Sequence, residues 1–212
     1  MPTDGNSNAP ANPPPRIVLA STSPRRASLM RARGIDVEVV EPPYDESTFD
    51  QTDLAPRDRA VAISRCKAES ARHALIGERA WVLAGDTIAA LGDRILGKPV
   101  DRADARSILD ALTGTVHEVI TGVALLNVGT GAWATGHAIT TVTMRSMSQA
   151  EIERYLDTDA WRGKAGAYGI QDHGDRFVER IEGSFTNVVG FPMELIERML
   201  TDWAYPLPRR PT

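Results

Sequence analysis

The sequence predicts an α/β protein with a mixed sheet. Strand-like and helix-like patterns alternate along most of the chain, which is typical of α/β architectures. Two long strand-like segments, 116–128 and 133–144, are joined by Gly129-Thr130-Gly131, so an antiparallel hairpin is expected beside the crossover helices. Ligands of open α/β sheets bind beyond the carboxyl ends of strands, and we therefore expect a cleft where polar residues follow apolar strands.

The N-terminal half contains a clear strand–turn–helix unit. Residues 17–20 form an apolar run that predicts a short buried strand. A short helix closed by Gly34 follows, with Ser23 placed to be its N-cap and Pro24 at its first position. The next predicted elements are a strand at 37–40, an acidic loop holding Asp45 and Glu46, a helix from about 56 to 73, and a buried strand at 81–84 that ends at Gly85-Asp86-Thr87.

The C-terminal half continues the alternation beyond that strand. A hairpin at 88–96 turns at Gly92-Asp93, and a helix capped by Asp101 follows and buries Ala105, Ile108, Leu109 and Leu112. After the two long strands, the capping box of Ser148 and Glu151 begins another helix. The remaining predicted elements are a loop at 164–171, a strand at 177–181 and a last helix around 192–200.

Both ends of the chain differ from the segment between them. Residues 1–15 include five prolines and no apolar stretch, so we expect a disordered extension and not a signal peptide. Residues 201–212 end in a proline- and arginine-rich stretch that predicts a frayed tail. The domain itself is expected to span 16–200, a length that suits one large domain or two closely joined lobes.

Composition excludes several classes of function. The 24 basic and 28 acidic residues give a net charge of −4, which does not favour general binding to nucleic acid or to an anionic membrane. No apolar run approaches the roughly 18 residues that a membrane span needs. The single cysteine excludes an intramolecular disulfide and fits a reducing cytoplasm, where we expect the protein to reside.

The hexapeptide Ser21-Thr22-Ser23-Pro24-Arg25-Arg26 predicts an anion site. It places two arginines in the first turn of a helix, where the helix dipole disfavours cations. Free backbone N–H groups, the hydroxyls of Ser21 and Ser23 and two guanidinium groups would converge at a strand-to-helix turn, and phosphate matches that geometry best. The alternative is that both arginines extend into water.

Asp86 is the strongest catalytic candidate. A carboxylate at the end of an apolar strand can hold a divalent cation or activate a water molecule, and the adjacent Gly85 would let a ligand approach the backbone. The alternative is a turn or cap aspartate, but Thr87 is followed by strand-like residues and not by a helix.

Two lysines and a glutamine are weaker candidates. Lys98 precedes a proline and should project from an extended backbone, either into a cleft or into solvent. Lys67 shares the apolar side of its helix, and in isolation a lysine that snorkels past the core is the better interpretation. Gln171 could pair with the edge of a nucleobase, although a lone glutamine is usually a surface residue.

The chain has no P-loop lysine motif and no dinucleotide fingerprint. Arginines, lysines and a few carboxylates in an α/β cleft instead suit metal-dependent hydrolysis of a phosphate ester. The chain also resembles the Maf family of nucleoside triphosphate pyrophosphatases. The matching motifs occur in the same order as in the family and cover about residues 16–200. The matching stretches are Leu19-Ala20-Ser21-Thr22-Ser23-Pro24-Arg25-Arg26, Gly85-Asp86-Thr87-Ile88, Gly97-Lys98-Pro99, Lys164-Ala165-Gly166-Ala167-Tyr168-Gly169-Ile170-Gln171, and Gly183-Ser184 with Asn187-Val188-Val189-Gly190-Phe191-Pro192.

The resemblance implies a fold, a reaction and a cofactor. The fold would be a two-lobed, twisted mixed sheet flanked by helices with a central cleft, similar to that of inosine triphosphate pyrophosphatases. The reaction would be hydrolysis of a nucleoside triphosphate to the monophosphate and pyrophosphate with Mg²⁺ or Mn²⁺. The substrate is the expected partner, nucleic acid and membranes are not, and a homodimer is among the assemblies that the resemblance allows.

The resemblance also implies roles for particular residues. Asp86 falls on the catalytic position; Arg25, Thr87 and Gln171 fall on positions associated with base selection; and Glu46, Lys67 and Lys98 fall on further cleft positions, with Asp86 and Glu46 as candidate metal ligands. The Pro-Arg-Arg and Tyr-Gly-Ile-Gln sequences are similar to the subgroup that acts on dTTP and UTP, and not to the 7-methyl-GTP subgroup. Ala84-Gly85 departs from the family's more frequent Gly-Ala but conserves small size. A nucleotide-responsive regulator of cell division with little turnover is the alternative function.

Overall fold

A computed structural model describes residues 14–51, 53–171 and 174–208. Most of the predicted proline-rich extension, residues 1–13, and the last four residues lie outside the described part of the chain. Within the described ranges, no helix is both long and apolar enough to cross a bilayer.

A mixed seven-stranded sheet organises the described residues, in the order β2-β1-β3-β5-β6-β7 with β4 paired to β3. Strand β1 runs parallel to β2 and β3, whereas the other pairs are antiparallel. This confirms the predicted fold class. The strands are β1 (Arg16–Ala20), β2 (Glu38–Val40), β3 (Ala80–Leu91), β4 (Arg94–Leu96), β5 (Val116–Asn127), β6 (Trp133–Met144) and β7 (Val178–Glu182).

Two helices begin at capping signals that the sequence predicts. The Asp101 side chain accepts a hydrogen bond from the Asp104 amide, and Ser148 and Glu151 form the predicted capping box. Ser23 does occupy the N-cap position of the first helix, but its hydroxyl makes no capping hydrogen bond. The helices are α1 (Pro24–Ala32), α2 (Pro56–Arg72), α3 (Arg102–Leu112), α4 (Gln149–Leu156), α5 (Phe185–Val189) and α6 (Met193–Asp202).

Strand β3 is longer than its sequence predicts. The prediction that an apolar strand ends before Asp86 is wrong, because β3 continues through this residue to Leu91. Asp86 and Thr87 pair with Gly122 and Thr121 of β5, so the backbone hydrogen bonds of the neighbouring strand carry β3 past its polar residues. Asp86 therefore lies in the middle of a strand and not at its end.

Helix α2 lies unusually close to the sheet at Gly122. A Cβ atom at this position would lie 2.3 Å from the carbonyl carbon of Ala60, so only glycine allows the approach. The buried Ser64 hydroxyl lies 2.7 Å from the Ala60 carbonyl and 2.8 Å from the Gly122 carbonyl. This close packing directs the buried stripe of α2, which includes Lys67, onto β3 and β5.

The C-terminal residues are packed more firmly than predicted. Helix α6 extends to Asp202, and the rings of Trp203 and Tyr205 lie 5.1 and 5.7 Å from that of Trp81. Leu207 packs on the same core cluster. The expectation of a frayed tail is therefore wrong for residues up to Leu207, because an aromatic cluster holds them against the sheet.

Candidate active site

One cavity of about 620 Å³ receives every side chain predicted for the site. These residues come from distant parts of the sequence: the β1–α1 turn, the acidic loop after β2, helix α2, strand β3 and two later loops. They are Ser21, Ser23, Arg25, Arg26, Glu46, Lys67, Asp86, Thr87, Lys98 and Gln171.

A chain of alternating charges lies across the cavity. The Lys67 Nζ atom lies 2.8 Å from Asp86 Oδ1 and 2.7 Å from Glu46 Oε1. Glu46 Oε1 lies 3.3 Å from Nζ of Lys98. Asp86 and Lys67 are only 5% and 6% exposed, so the interior pair interacts in a low-dielectric environment. The preference for a snorkelling Lys67 is therefore wrong, since this ammonium group is buried against a carboxylate.

Glu46 stays ionised within this chain. Burial alone would raise the pKa of its carboxyl group, but the ammonium groups of Lys67 and Lys98 outweigh that effect and hold the pKa below its usual value. Asp45 begins the short 3₁₀ turn that carries Glu46 and accepts a hydrogen bond from the Ser47 amide. The acidic loop thus presents one carboxylate to two lysines.

Arg26 is a buried wall of the cavity. Its Nε, Nη1 and Nη2 atoms donate to the Gly190 carbonyl, the Ser21 hydroxyl and the Thr87 hydroxyl, at 2.9, 3.1 and 3.1 Å. Burial lowers the pKa of its guanidinium group, and the nearby carboxylates oppose this. Arg25 is half-buried and also lines the cavity. Both arginines therefore face the cavity, and the alternative in which they extend into water is wrong.

Thr87 links three segments of the site. Its hydroxyl lies 3.0 Å from the Thr121 hydroxyl and 3.2 Å from the Gly190 carbonyl, in addition to its contact with Arg26. The prediction that the adjacent Gly85 lets a ligand approach the backbone is wrong. A Cβ atom there would lie 2.9 Å from the Phe191 ring, so the glycine is required for core packing.

Several cavity residues were not predicted from the sequence. Tyr44 follows a pair of prolines, and its burial, with a hydrogen bond to Cys66, raises the pKa of its hydroxyl to about 12. Arg162 and Lys164 bring further positive charge to the rim beside the Gln171 loop. The Lys164–Gln171 sequence could have indicated this part of the rim, but nothing local marks Tyr44.

The donor set fits a metal that the substrate helps to bind. Among the residues described, no group of three or more histidine, cysteine or acidic side chains could hold an ion by itself. Mg²⁺ commonly needs only one or two carboxylates together with substrate phosphates and water. Asp86 and Glu46 are two cavity carboxylates that could fill this role, and both pair with the ammonium group of Lys67.

Comparison with known proteins identifies the family. The profile described as Maf-like protein matches residues 16–203. The chain belongs to the Maf family. This confirms the resemblance noted in the sequence, and the match covers all ten cavity residues that the sequence predicted.

Individual relatives of this Maf-family chain bear consistent names. A protein of Bdellovibrio bacteriovorus named dTTP/UTP pyrophosphatase is 40% identical over 190 residues, covering 88% of this chain and 98% of the relative. A Pyrococcus abyssi protein with the same name is 36% identical and is covered completely. Among solved structures, a nucleoside-triphosphatase (dITP/XTP pyrophosphatase) from Mycobacterium abscessus aligns over 91% of this chain and 98% of its own, with 16% identity and a TM-score of 0.43.

Proposed function

We propose that this protein hydrolyses dTTP and UTP to the monophosphate and pyrophosphate, and so removes these nucleotides from the cytoplasmic pool. One observation carries the proposal: a single cavity combines a buried carboxylate, a row of cationic side chains and a loop bearing a glutamine. The names of the relatives support the same reaction. The lone cysteine fits a reducing cytoplasm.

The cationic side chains suit a triphosphate. Lys98 is half-exposed at the cavity and can pair with phosphate oxygens, whereas Arg26 is already held by three acceptors. Because Arg26 cannot move easily, its remaining N–H groups would offer a preorganised surface for charge that develops on the phosphates. Ser21 and Ser23 add hydroxyl groups at the N-terminus of α1.

Asp86 is the proposed acceptor of the water proton. A water oxygen bonds to the α-phosphorus while Asp86 accepts the water proton. The bond from the α-phosphorus to the oxygen that bridges the α- and β-phosphates breaks, and pyrophosphate leaves with the electrons of that bond. Lys67 fixes the orientation of the Asp86 carboxylate through the 2.8 Å contact. A divalent metal held by Asp86 and Glu46 would supply charge neutralisation and water activation when bound.

We propose that Gln171 recognises the base through hydrogen bonds. Thymine and uracil present an N3–H donor beside the O4 acceptor, and one glutamine amide can pair with both through its carbonyl and its NH₂ group. Cytosine reverses this order, so polar groups of the site would lose their partners. Thr87 and Arg25 line the same cavity and would support this selection.

The test is to incubate the purified protein with dTTP, UTP, dCTP and dGTP in the presence of Mg²⁺ or Mn²⁺ and to quantify pyrophosphate and orthophosphate. We expect pyrophosphate and monophosphate in equal amounts, with dTTP and UTP preferred. Sequential release of orthophosphate would contradict the proposed bond cleavage. Nucleotide binding without turnover under any metal would favour the regulator of cell division instead.

A further inference from the structure

A buried histidine lies behind the wall of the cavity and has no part in the proposed reaction. The Nε2 atom of His117, on β5, lies 2.9 Å from the hydroxyl of Tyr168, and the two rings meet edge to face with centroids 5.5 Å apart. His117 is 2% exposed and Tyr168 is 6% exposed. The pair is therefore shielded from solvent on the far side of a residue that lines the cavity.

Tyr168 opens the segment that carries Gln171. Tyr168 lines the cavity, and the next residue, Gly169, is held by hydrogen bonds of both its amide and its carbonyl group. The Gly169 amide donates to the Tyr155 hydroxyl at 3.3 Å, and its carbonyl accepts from the Gly174 amide at 3.0 Å. The position of Gln171 thus depends on how firmly Tyr168 and Gly169 are anchored.

The backbone just before Tyr168 is strained. Gly166 and Ala167 adopt φ angles of +74° and +58°, and the left-handed region is unfavourable for alanine. Such a conformation persists only where its surroundings determine it. The Gly166 amide donates to the Gly97 carbonyl before this turn, and the His117–Tyr168 contact follows it. Anchors on both sides therefore impose the turn.

Burial of the His117 side chain lowers the stability of the fold, which a residue with only a structural role in the core would not be expected to do. Its Nδ1 atom is buried and lacks a hydrogen-bond partner among the residues described, which costs stability. Burial also lowers the pKa of the imidazole to about 4, so the ring is neutral near pH 7. A neutral imidazole has one donor and one acceptor nitrogen, and the nitrogen that is satisfied is the one facing Tyr168.

We propose that His117 is a positioning residue for base selection: its hydrogen bond to Tyr168 fixes the segment that presents Gln171 to the nucleobase. This inference rests on the proposed function, in which Gln171 reads the base. His117 touches neither the substrate nor Asp86 in this role. Its effect should therefore appear in KM and in the preference among bases, and much less in kcat.

The test uses three variants and a matched control in the full-length chain. Tyr168→Phe removes only the hydroxyl, His117→Leu removes both ring nitrogens, and His117→Gln keeps a polar group that can reach Tyr168. Ile196→Val removes one methylene from a separate buried cluster and controls for general loss of stability. For each protein, kcat and KM are determined separately with dTTP and dCTP, and hydrogen–deuterium exchange of the 165–171 peptide is measured.

We expect Tyr168→Phe and His117→Leu each to lower the dTTP/dCTP preference by about 3- to 10-fold, the usual effect of losing one hydrogen bond. The double variant should lose no more than the larger single effect, and His117→Gln should recover part of the preference. The 165–171 peptide should exchange faster in both disruptive variants but not in Ile196→Val.

Unchanged preference and exchange in Tyr168→Phe would overturn the proposal, even if His117→Leu fails to fold. Additive effects in the double variant would also overturn it, because the two residues would then act separately. A wild-type protein that shows no base preference would instead contradict the role of Gln171 in the proposed function. In that case the exchange measurement still decides whether His117 holds the segment.

Discussion

Replacing Lys67 tests the buried charge chain most directly. Lys67→Met keeps much of the side-chain volume but removes the ammonium group, leaving the 5%-exposed Asp86 without its counterion. Breaking a buried pair in this way typically costs about 3–5 kcal/mol of the free energy of unfolding. For a chain of this size, each kcal/mol corresponds to roughly 2–4 °C in Tm, so Tm should fall by roughly 6–20 °C.

Lys98→Met is the matched control. Lys98 also contacts Glu46, but its side chain is 52% exposed and the distance is 3.3 Å. An exposed ion pair contributes about 0–1 kcal/mol, so this variant should unfold almost as the wild type does. Urea unfolding at pH 7 measures both differences.

A double variant identifies the cause of the Lys67 effect. Adding Asp86→Asn to Lys67→Met should recover much of the lost stability, because the buried carboxylate that lacks a counterion is then gone. Equal losses for Lys67→Met and Lys98→Met would refute the reasoning. So would a double variant that is less stable than Lys67→Met alone.

Four further predictions concern activity and pH. Asp86→Asn should lower kcat by roughly 10²–10⁴-fold in a folded protein, and an unimpaired variant would exclude Asp86 as the proton acceptor. Lys98→Ala should raise KM for all nucleotides about equally, whereas a reordering of dTTP against dCTP would place this lysine near the base. Gln171→Ala should lose most of the base preference in kcat/KM, and full retention would contradict its role. Burial lowers the pKa of His117 from about 6.5 in the unfolded chain to about 4 in the folded protein. The contribution of the neutral imidazole to the free energy of unfolding is therefore fully present above pH 6.5 and is lost progressively as the pH falls towards 4. Urea unfolding should therefore show about 2 kcal/mol more loss from pH 7 to pH 5 in the wild type than in His117→Gln, and equal losses would contradict the assigned cause.

The sequence by itself determined the elements whose signals are local. A capping side chain bonds an amide two or three residues away, so Asp101 and Ser148 marked the starts of α3 and α4 without any tertiary information. The order of the strands and of the other helices, and the motifs that carry Asp86 and Gln171, could be read in the same way, but the short helix α5 was not predicted. The resemblance based on those motifs then indicated the family correctly.

Tertiary structure decided what depends on partners distant in the chain. Strand β3 continues through Asp86 because β5 supplies its hydrogen bonds, which no local pattern shows. Arg26 is held by the Gly190 carbonyl, 164 residues away. Lys67 had the same local pattern as a snorkelling lysine, and it is buried against Asp86 because Gly122 lets α2 approach the sheet. Local patterns indicate the hydrogen bonds and the apolar periodicity within one element. The ion pair between Lys67 and Asp86 depends instead on how closely two elements can pack.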